Sequence, residues 1–228
     1  MSEDVFKIII VLTYAYLVGA IPLAYIVGRV VKGIDIRKYG SGNVGVSNVW
    51  VHVGKRIVIP LSLFDVLVKG GSPLWIARYA FGLGMEVQVG AGLLAVIGNN
   101  WSPYLRFGGG RGIAIILGVL LAMYPPLFPM ELTAFIIVGV GGWVLFRSAA
   151  LWVGISMLLL PVWAILLGRP VELVFLMVGL VFVVAIKRLG ANGGIVHSEI
   201  PLRARLINRL LLDRDVSSRE SWVNRRPP

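Results

Sequence analysis

Seven stretches of this chain, near residues 8–28, 57–80, 86–105, 112–129, 131–147, 149–167 and 171–187, are almost continuously apolar. Each is close to the roughly 20 residues that cross a bilayer core as a helix. In hydrocarbon every backbone N–H and C=O must find its partner within the protein, so a segment of this kind has to be helical. One soluble core cannot absorb so much apolar chain, with 57% of the residues hydrophobic and 14% charged. The expected fold is therefore all-α: a polytopic membrane protein with seven transmembrane helices over residues 1–187 and a basic tail over 188–228. The second stretch carries Asp65, Lys69, Gly70, Gly71 and Pro73 in its middle, which predicts a kinked, split or partly re-entrant helix.

Orientation follows from the basic residues, because loops rich in Lys and Arg stay on the cytoplasmic side. With the N-terminus outside, the inner loops hold Arg29, Lys32, Arg37, Lys38, Lys55, Arg56, Arg106, Arg111, Arg147 and every basic residue from Lys187 onward. The outer side keeps only Lys7, Arg78 and Arg169, and Lys69 lies within a span. An odd span count and a cytoplasmic C-terminus preserve this asymmetry, and localisation in the cell membrane follows. The acidic flank Ser2-Glu3-Asp4 argues against a removable signal peptide. The net charge of +11 follows the membrane topology, so anionic lipid heads, not nucleic acid, are the expected partners. In the tail, Leu202, Leu206, Leu210 and Leu211 recur at helical spacing between arginines, which suits an amphipathic helix on the inner leaflet. Residues 224–228 read as disordered.

Two glycine-rich runs fall on the cytoplasmic side in this topology. The first is Gly40-Ser41-Gly42-Asn43-Val44-Gly45-Val46-Ser47-Asn48. Glycine lets a chain curl and brings no side chain, so backbone N–H groups and the short polar groups of Ser41, Asn43, Ser47 and Asn48 can converge on an anion such as phosphate. A nucleotide-binding P-loop is excluded, since Val46 stands where the lysine is needed and no soluble strand precedes the run. The second run, Gly108-Gly109-Gly110-Arg111-Gly112, opens an apolar helix. A helix start attracts anions through its free N–H groups, and Arg111 adds a two-pronged cation. For both runs the plain alternative is helix packing, and for Arg111 a topology signal. Asp65 and Lys69, four apart, share a helix face; a charged pair at membrane depth either lines a site or neutralises itself. His52 and His197 have no carboxylate at ligand spacing and read as solvated. The chain has no cysteine, so neither a disulfide nor a thiolate site is possible, and no metal or cofactor is expected.

The first run resembles the G-S-G-N-x-G-x-[TS]-N signature of the PlsY family, membrane acyltransferases that move a fatty acyl group from acyl-phosphate to glycerol 3-phosphate. The segment from Gly98 to Ala114, with Gly109-Gly110-Arg111-Gly112, is similar to that family's G-H…G-G-K-G-x-A segment. Asp65 to Gly70 is similar to its D-x-x-K-G segment, and Arg203 to Leu211 to its closing segment. Asn99, Arg111 and Ala204 replace a family histidine, lysine and histidine, and the arginine usual after the first signature falls near Val51.

The resemblance implies a seven-span acyltransferase of phospholipid biosynthesis that forms lysophosphatidate. Its substrates would be acyl-phosphate and glycerol phosphate, with the substrate phosphate accepting the proton in place of a general base. It places Ser41, Asn43, Lys69 and Arg111 in catalysis. Gly40, Gly42, Gly45, Ser47, Asn48, Asp65, Asn99, Gly109, Gly110, Gly112 and Asn208 would bind substrate. Two other readings stay open: a non-catalytic relative that binds a phosphorylated lipid, and a small-anion transporter, although the inverted repeat expected of a transporter is not visible in the sequence. The topology predicts that Ser198→Cys, in a chain with no other cysteine, resists an impermeant thiol reagent added to intact cells and is labelled only after the membrane is opened.

Overall fold

The computed structural model describes residues 3–123, 130–190 and 200–215. Its described residues are helical throughout, apart from turns and one isolated bridge between Ser102 and Gly108. The long elements are α1 (Glu3–Ala20), α2 (Leu23–Lys32), α3 (Val46–His52), α4 (Lys55–Ala80), α5 (Met85–Asn100), α6 (Ile113–Ala122), α7 (Met130–Phe146), α8 (Ala149–Leu166), α9 (Val171–Gly190) and α10 (Leu202–Leu212). Four units among the described residues are long and apolar enough to cross a membrane: Glu3–Lys32, α4, α8 and α9. The shorter α5, α6 and α7 lie where the other three spans were expected.

The first expected span is not one straight helix. Pro22 has no N–H to give and its ring clashes with the preceding turn, so α1 stops at Ala20 and α2 restarts at Leu23. The break frees the Ala20 carbonyl, and the buried Ser102 hydroxyl takes it at 2.6 Å. The third expected span ends at Asn100 rather than 105: Trp101 leaves the helical region (φ −128°, ψ 68°), Pro103 opens a separate 3-10 turn, and the positive φ of Arg106 and Phe107 (54° and 61°) then turns the chain back. The fourth was expected to reach 129, but 124–129 lie outside the described residues. Instead of splitting, the second span stays helical and widens into a π-helical turn over Phe64–Gly71 and another over Ile76–Ala80.

Small residues set the helix crossings, as expected where lipid offers no hydrophobic drive for association. A Cβ on Gly19 of α1 would collide with the Ala95 backbone of α5, and one on Gly98 with the backbone of Tyr16 and Ala20. Gly118 of α6 meets the Val66 carbonyl of α4, and Gly70 of α4 meets Ile115 and Gly118. Tyr14 and Ser72 hydrogen bond at 2.9 Å between α1 and α4. Around these crossings lies a buried core that includes Val11, Ala15, Leu74, Ala95, Ile116, Val119 and Leu176. On α8 and α9 the outer faces leave Ile165, Leu166, Phe175 and Phe182 exposed, the surface a lipid-facing helix needs.

The tail helix α10 forms where leucine spacing predicted it. It is braced on the end of the bundle: Arg188 of α9 donates to Leu210 O (2.8 Å) and Ala150 O (2.9 Å), and Arg209 donates to Leu189 O (3.0 Å). The readings for His197, Ser198 and residues 224–228 fall outside the described residues. Glycine packing at the α4–α6 crossing predicts that Gly118→Leu sharply lowers the melting temperature in detergent. Gly141→Ala, where a methyl meets nothing within 4 Å, leaves it unchanged within error.

Candidate active site

The first glycine run is built outward from Asp35. Gly33 closes α2 in the left-handed conformation, and Asp35 then caps the 3-10 turn Ile36–Lys38 by accepting from Arg37 N at 3.1 Å. The same carboxylate holds the Arg37 guanidinium two-pronged, at 2.9 and 2.7 Å, and Arg29 at 3.3 Å. The hydrogen bonds from Arg37 hold the Asp35 carboxyl below its usual pKa range, against the opposing effect of burial. Gly40 (φ 50°) and Gly42 (φ 68°) make turns that a side chain would strain. Asn48 secures the result: its amide nitrogen points at Ile36 O (3.1 Å), Tyr39 O (3.0 Å) and Asn43 O (3.1 Å). Ser41 Oγ accepts from Asn43 N at 3.2 Å.

The second run folds back over the end of α5. Gly110 N donates to Asn99 O at 3.0 Å, and a Cβ on Gly110 would press on Val44 O at 2.7 Å, so the two runs touch through bare backbone. A Cβ on Gly109 would run into the Asn99 and Asn100 carbonyls. Gly112 (φ 74°) caps α6. The Asn100 side-chain amide lies against Val96 O (3.3 Å) and Gly110 O (3.2 Å), and with its nitrogen turned to that side it bonds both.

Beneath this contact lies Lys69, only 2% exposed. The π-helical turn carries it with Asp65, and the two pair at 3.0 Å. The ammonium also donates to Asn99 Oδ1 at 3.1 Å. A buried ammonium is sustained only by such partners. π-Helical turns recur at functional sites. Lys69, Asp65 and Asn99 line a small cavity of about 10 Å³ together with Ala20, Pro22, Ser102, Gly109 and Gly110. It has room for about one water-sized group. A wider cleft of about 440 Å³ opens beside it, lined among others by Arg37, Gly42, Trp101, Phe107, Gly108 and Lys187. Val44, Leu105 and Gly109 line both, so the cavity is the floor of the cleft.

The structure thus brings together Gly42, Asp65, Lys69, Asn99, Gly109 and Gly110 from the residues singled out in the sequence, with Gly40, Ser41, Asn43 and Gly45 in the adjoining loop. Several others stand elsewhere. Arg111 is not an open anion clamp: its Nε donates to Asp213 Oδ1 at 2.7 Å and its Nη1 to Lys187 O at 3.1 Å. A guanidinium only 10% exposed takes the nearest carboxylate, and here that is the residue closing α10. Asn208 lies on α10 and donates to Asp215 O at 3.4 Å, away from the cleft. The Asn48 amide serves the loop's own carbonyls, and Ser47 faces outward on α3. Arg37, Trp101 and Lys187, which the sequence does not single out as site residues, also line the cleft. Positive-inside topology explained each cation well enough, and only the tertiary fold brings residues 37, 101 and 187 to one cleft.

A family model described as glycerol-3-phosphate acyltransferase matches residues 9–192. The chain belongs to this family. A glycerol-3-phosphate acyltransferase 4 of Dehalococcoides mccartyi is 38% identical over 225 residues, 95% of this chain and 93% of that protein. A glycerol-3-phosphate acyltransferase of Thermus thermophilus is 39% identical over 178 residues, 75% and 84% of the two chains. The fold superposes on crystal structures of PlsY, an integral membrane glycerol 3-phosphate acyltransferase, with a TM-score of 0.72 at 28% identity. The glycerol 3-phosphate form covers 79% of this chain and 88% of that one; the lysophosphatidic acid form covers 92% and 94%. Membership makes the chain an integral membrane acyltransferase. The family match ends at 192, before the segment from Arg203 to Leu211 that resembled the family's closing motif.

The Arg111–Asp213 contact predicts coupling between the second glycine run and the tail. In a double-mutant cycle, Arg111→Gln and Asp213→Asn should each lower stability in detergent, and the double variant should be little worse than the worse single one. A coupling of roughly 0.5–3 kcal/mol is expected for such a pair, and strict additivity would show that it carries no energy.

Proposed function

We propose that this chain transfers an acyl group from an acyl-phosphate to the free hydroxyl of glycerol 3-phosphate, forming lysophosphatidate for phospholipid synthesis. The reading places the reaction at the cytoplasmic mouth of the bundle in the cell membrane. One observation carries it: a buried ammonium, Lys69, held by Asp65 and Asn99 at the floor of a cleft that glycines of both runs help to line.

An acyl-phosphate is already activated, so little covalent help is required from the protein. The glycerol hydroxyl oxygen attacks the acyl carbon, the bond from that carbon to the phosphate oxygen breaks, and the departing phosphate accepts the hydroxyl proton. Rate then comes from holding the two reactants together and from stabilising the charge on the carbonyl oxygen. In this scheme Lys69 supplies the positive charge nearest the reacting centre, while Asp65 and Asn99 hold it in place. Ser41, Asn43 and the backbone around Gly40 and Gly42 meet a phosphate. Gly109 and Gly110 keep the opposite wall open to close approach, Asn48 keeps the first loop in shape, and Arg111 with Gly112 fixes the second run to the tail. Residues 1–187 form the catalytic domain, and α10 of the tail, held through Arg188 and Arg209, braces it.

Purified protein given acyl-phosphate and glycerol 3-phosphate, with the lipid product followed by mass, tests the reading. The wild type should form lysophosphatidate, and Lys69→Met should lose turnover by at least a hundredfold. Asn43→Ala and Gly42→Ala, the latter forcing a side chain into φ 68°, should lose turnover before they lose melting temperature. Gly45→Ala should have a lesser effect, because Gly45 is extended and a methyl there meets only Asn43 Nδ2, at 3.8 Å. Binding of glycerol 3-phosphate without turnover in the wild type would instead favour a phospholipid-binding relative.

A further inference from the structure

The cleft holds a cation that the scheme above leaves unused. Lys187, near the end of α9, is 5% exposed and lines the cleft. Its ammonium lies 5.5 Å from the centroid of the Trp101 ring, and no carboxylate lies within salt-bridge distance of it among the described residues. The nearby acids are already committed, Asp213 to Arg111 and Asp215 to Arg209. The neighbouring charges add to the field instead of cancelling it, for Arg111 rests on the Lys187 carbonyl and Arg37 lines the same cleft. Arg37 is partly balanced by Asp35; Lys187 has no such balance. A nearly buried ammonium beside an aromatic face is costly to leave without an anion.

We infer that Lys187 is the phosphate-binding cation of this site, gripping a phosphate monoester or acyl-phosphate head in the outer cleft, where Arg37 and Arg106 add to the positive field, while the reacting carbon reaches Lys69 below. The inference rests on the acyltransferase reading for its substrates, and its geometry matches the cavities. About 10 Å³ at the floor admits no phosphate, whereas the cleft of about 440 Å³ does. Gly42, Gly108 and Gly109 leave part of the cleft wall free of side chains, so a ligand can approach backbone there.

Steady-state kinetics of Lys187→Met and Lys187→Arg test it, with the KM for glycerol 3-phosphate and for acyl-phosphate measured separately. Loss of a charge-assisted contact should raise one KM roughly ten- to hundredfold with kcat changed far less, while the arginine variant recovers most of the affinity. The KM that rises identifies which substrate's phosphate sits in the cleft. If neither rises, the inference fails while the acyltransferase reading stands. If the wild type does not turn over, thermal stabilisation by glycerol 3-phosphate and by inorganic phosphate replaces KM, and equal stabilisation of wild type and Lys187→Met overturns the inference. Should the methionine variant not fold, Lys187→Gln, which keeps a polar chain without the charge, takes its place in both measurements, and an unchanged KM or an unchanged stabilisation overturns the inference.

Discussion

A lysine ammonium that is 2% exposed inside an apolar bundle is the constraint around which this protein is organised. Desolvating a charge is expensive, and the cost is bearable only if each remaining direction of the group meets a partner. Asp65 supplies the countercharge one turn away and Asn99 supplies an oxygen from another helix. That second contact ties α4 to α5. The close crossings of α1 on α5 and α4 on α6, made possible by glycine, bring the two elements near enough for it to form. A larger residue at these crossings would separate the helices and leave the ammonium with one partner fewer.

The irregularities of the backbone serve the same end. Pro22 interrupts the first span and releases the Ala20 carbonyl, which Ser102 satisfies from the turn after α5. Tyr16 adds a bond to Trp101 O at 3.0 Å. These bonds fix the turn that returns residues 108–112 over the site. Where backbone leaves the helical pattern at membrane depth, its groups must be met by protein or by a wet cavity, and here both occur side by side. The small cavity at the floor of the cleft is lined by this turn and by the buried Asp65, Lys69 and Asn99.

The basic residues at this end of the bundle fall into two groups that sequence alone merges. Arg111, Arg188 and Arg209 are turned onto carbonyls and carboxylates and hold α10 against the bundle. Arg37, Arg106 and Lys187 line the cleft, and of these Arg37 is paired with Asp35 while Lys187 has no carboxylate within salt-bridge distance among the described residues. Both groups satisfy the positive-inside rule equally well, so topology gives no means of separating them.

The sequence by itself determined the class of fold, the positions of the apolar helices, the two glycine runs and the Asp65–Lys69 pair. These depend on local chemistry: hydropathy over about 20 residues, the conformational freedom of glycine, and a spacing of four on a helix. It also contained the family resemblance that the comparisons bear out. Only the tertiary structure decided that Asn48 serves its own loop, that Arg111 turns to Asp213, that Asn208 stands apart, and that residues 37, 101 and 187 share one cleft. The reason is physical: a buried polar group binds whichever partner the packed helices bring within about 3 Å, and that partner can lie a hundred residues away in the chain.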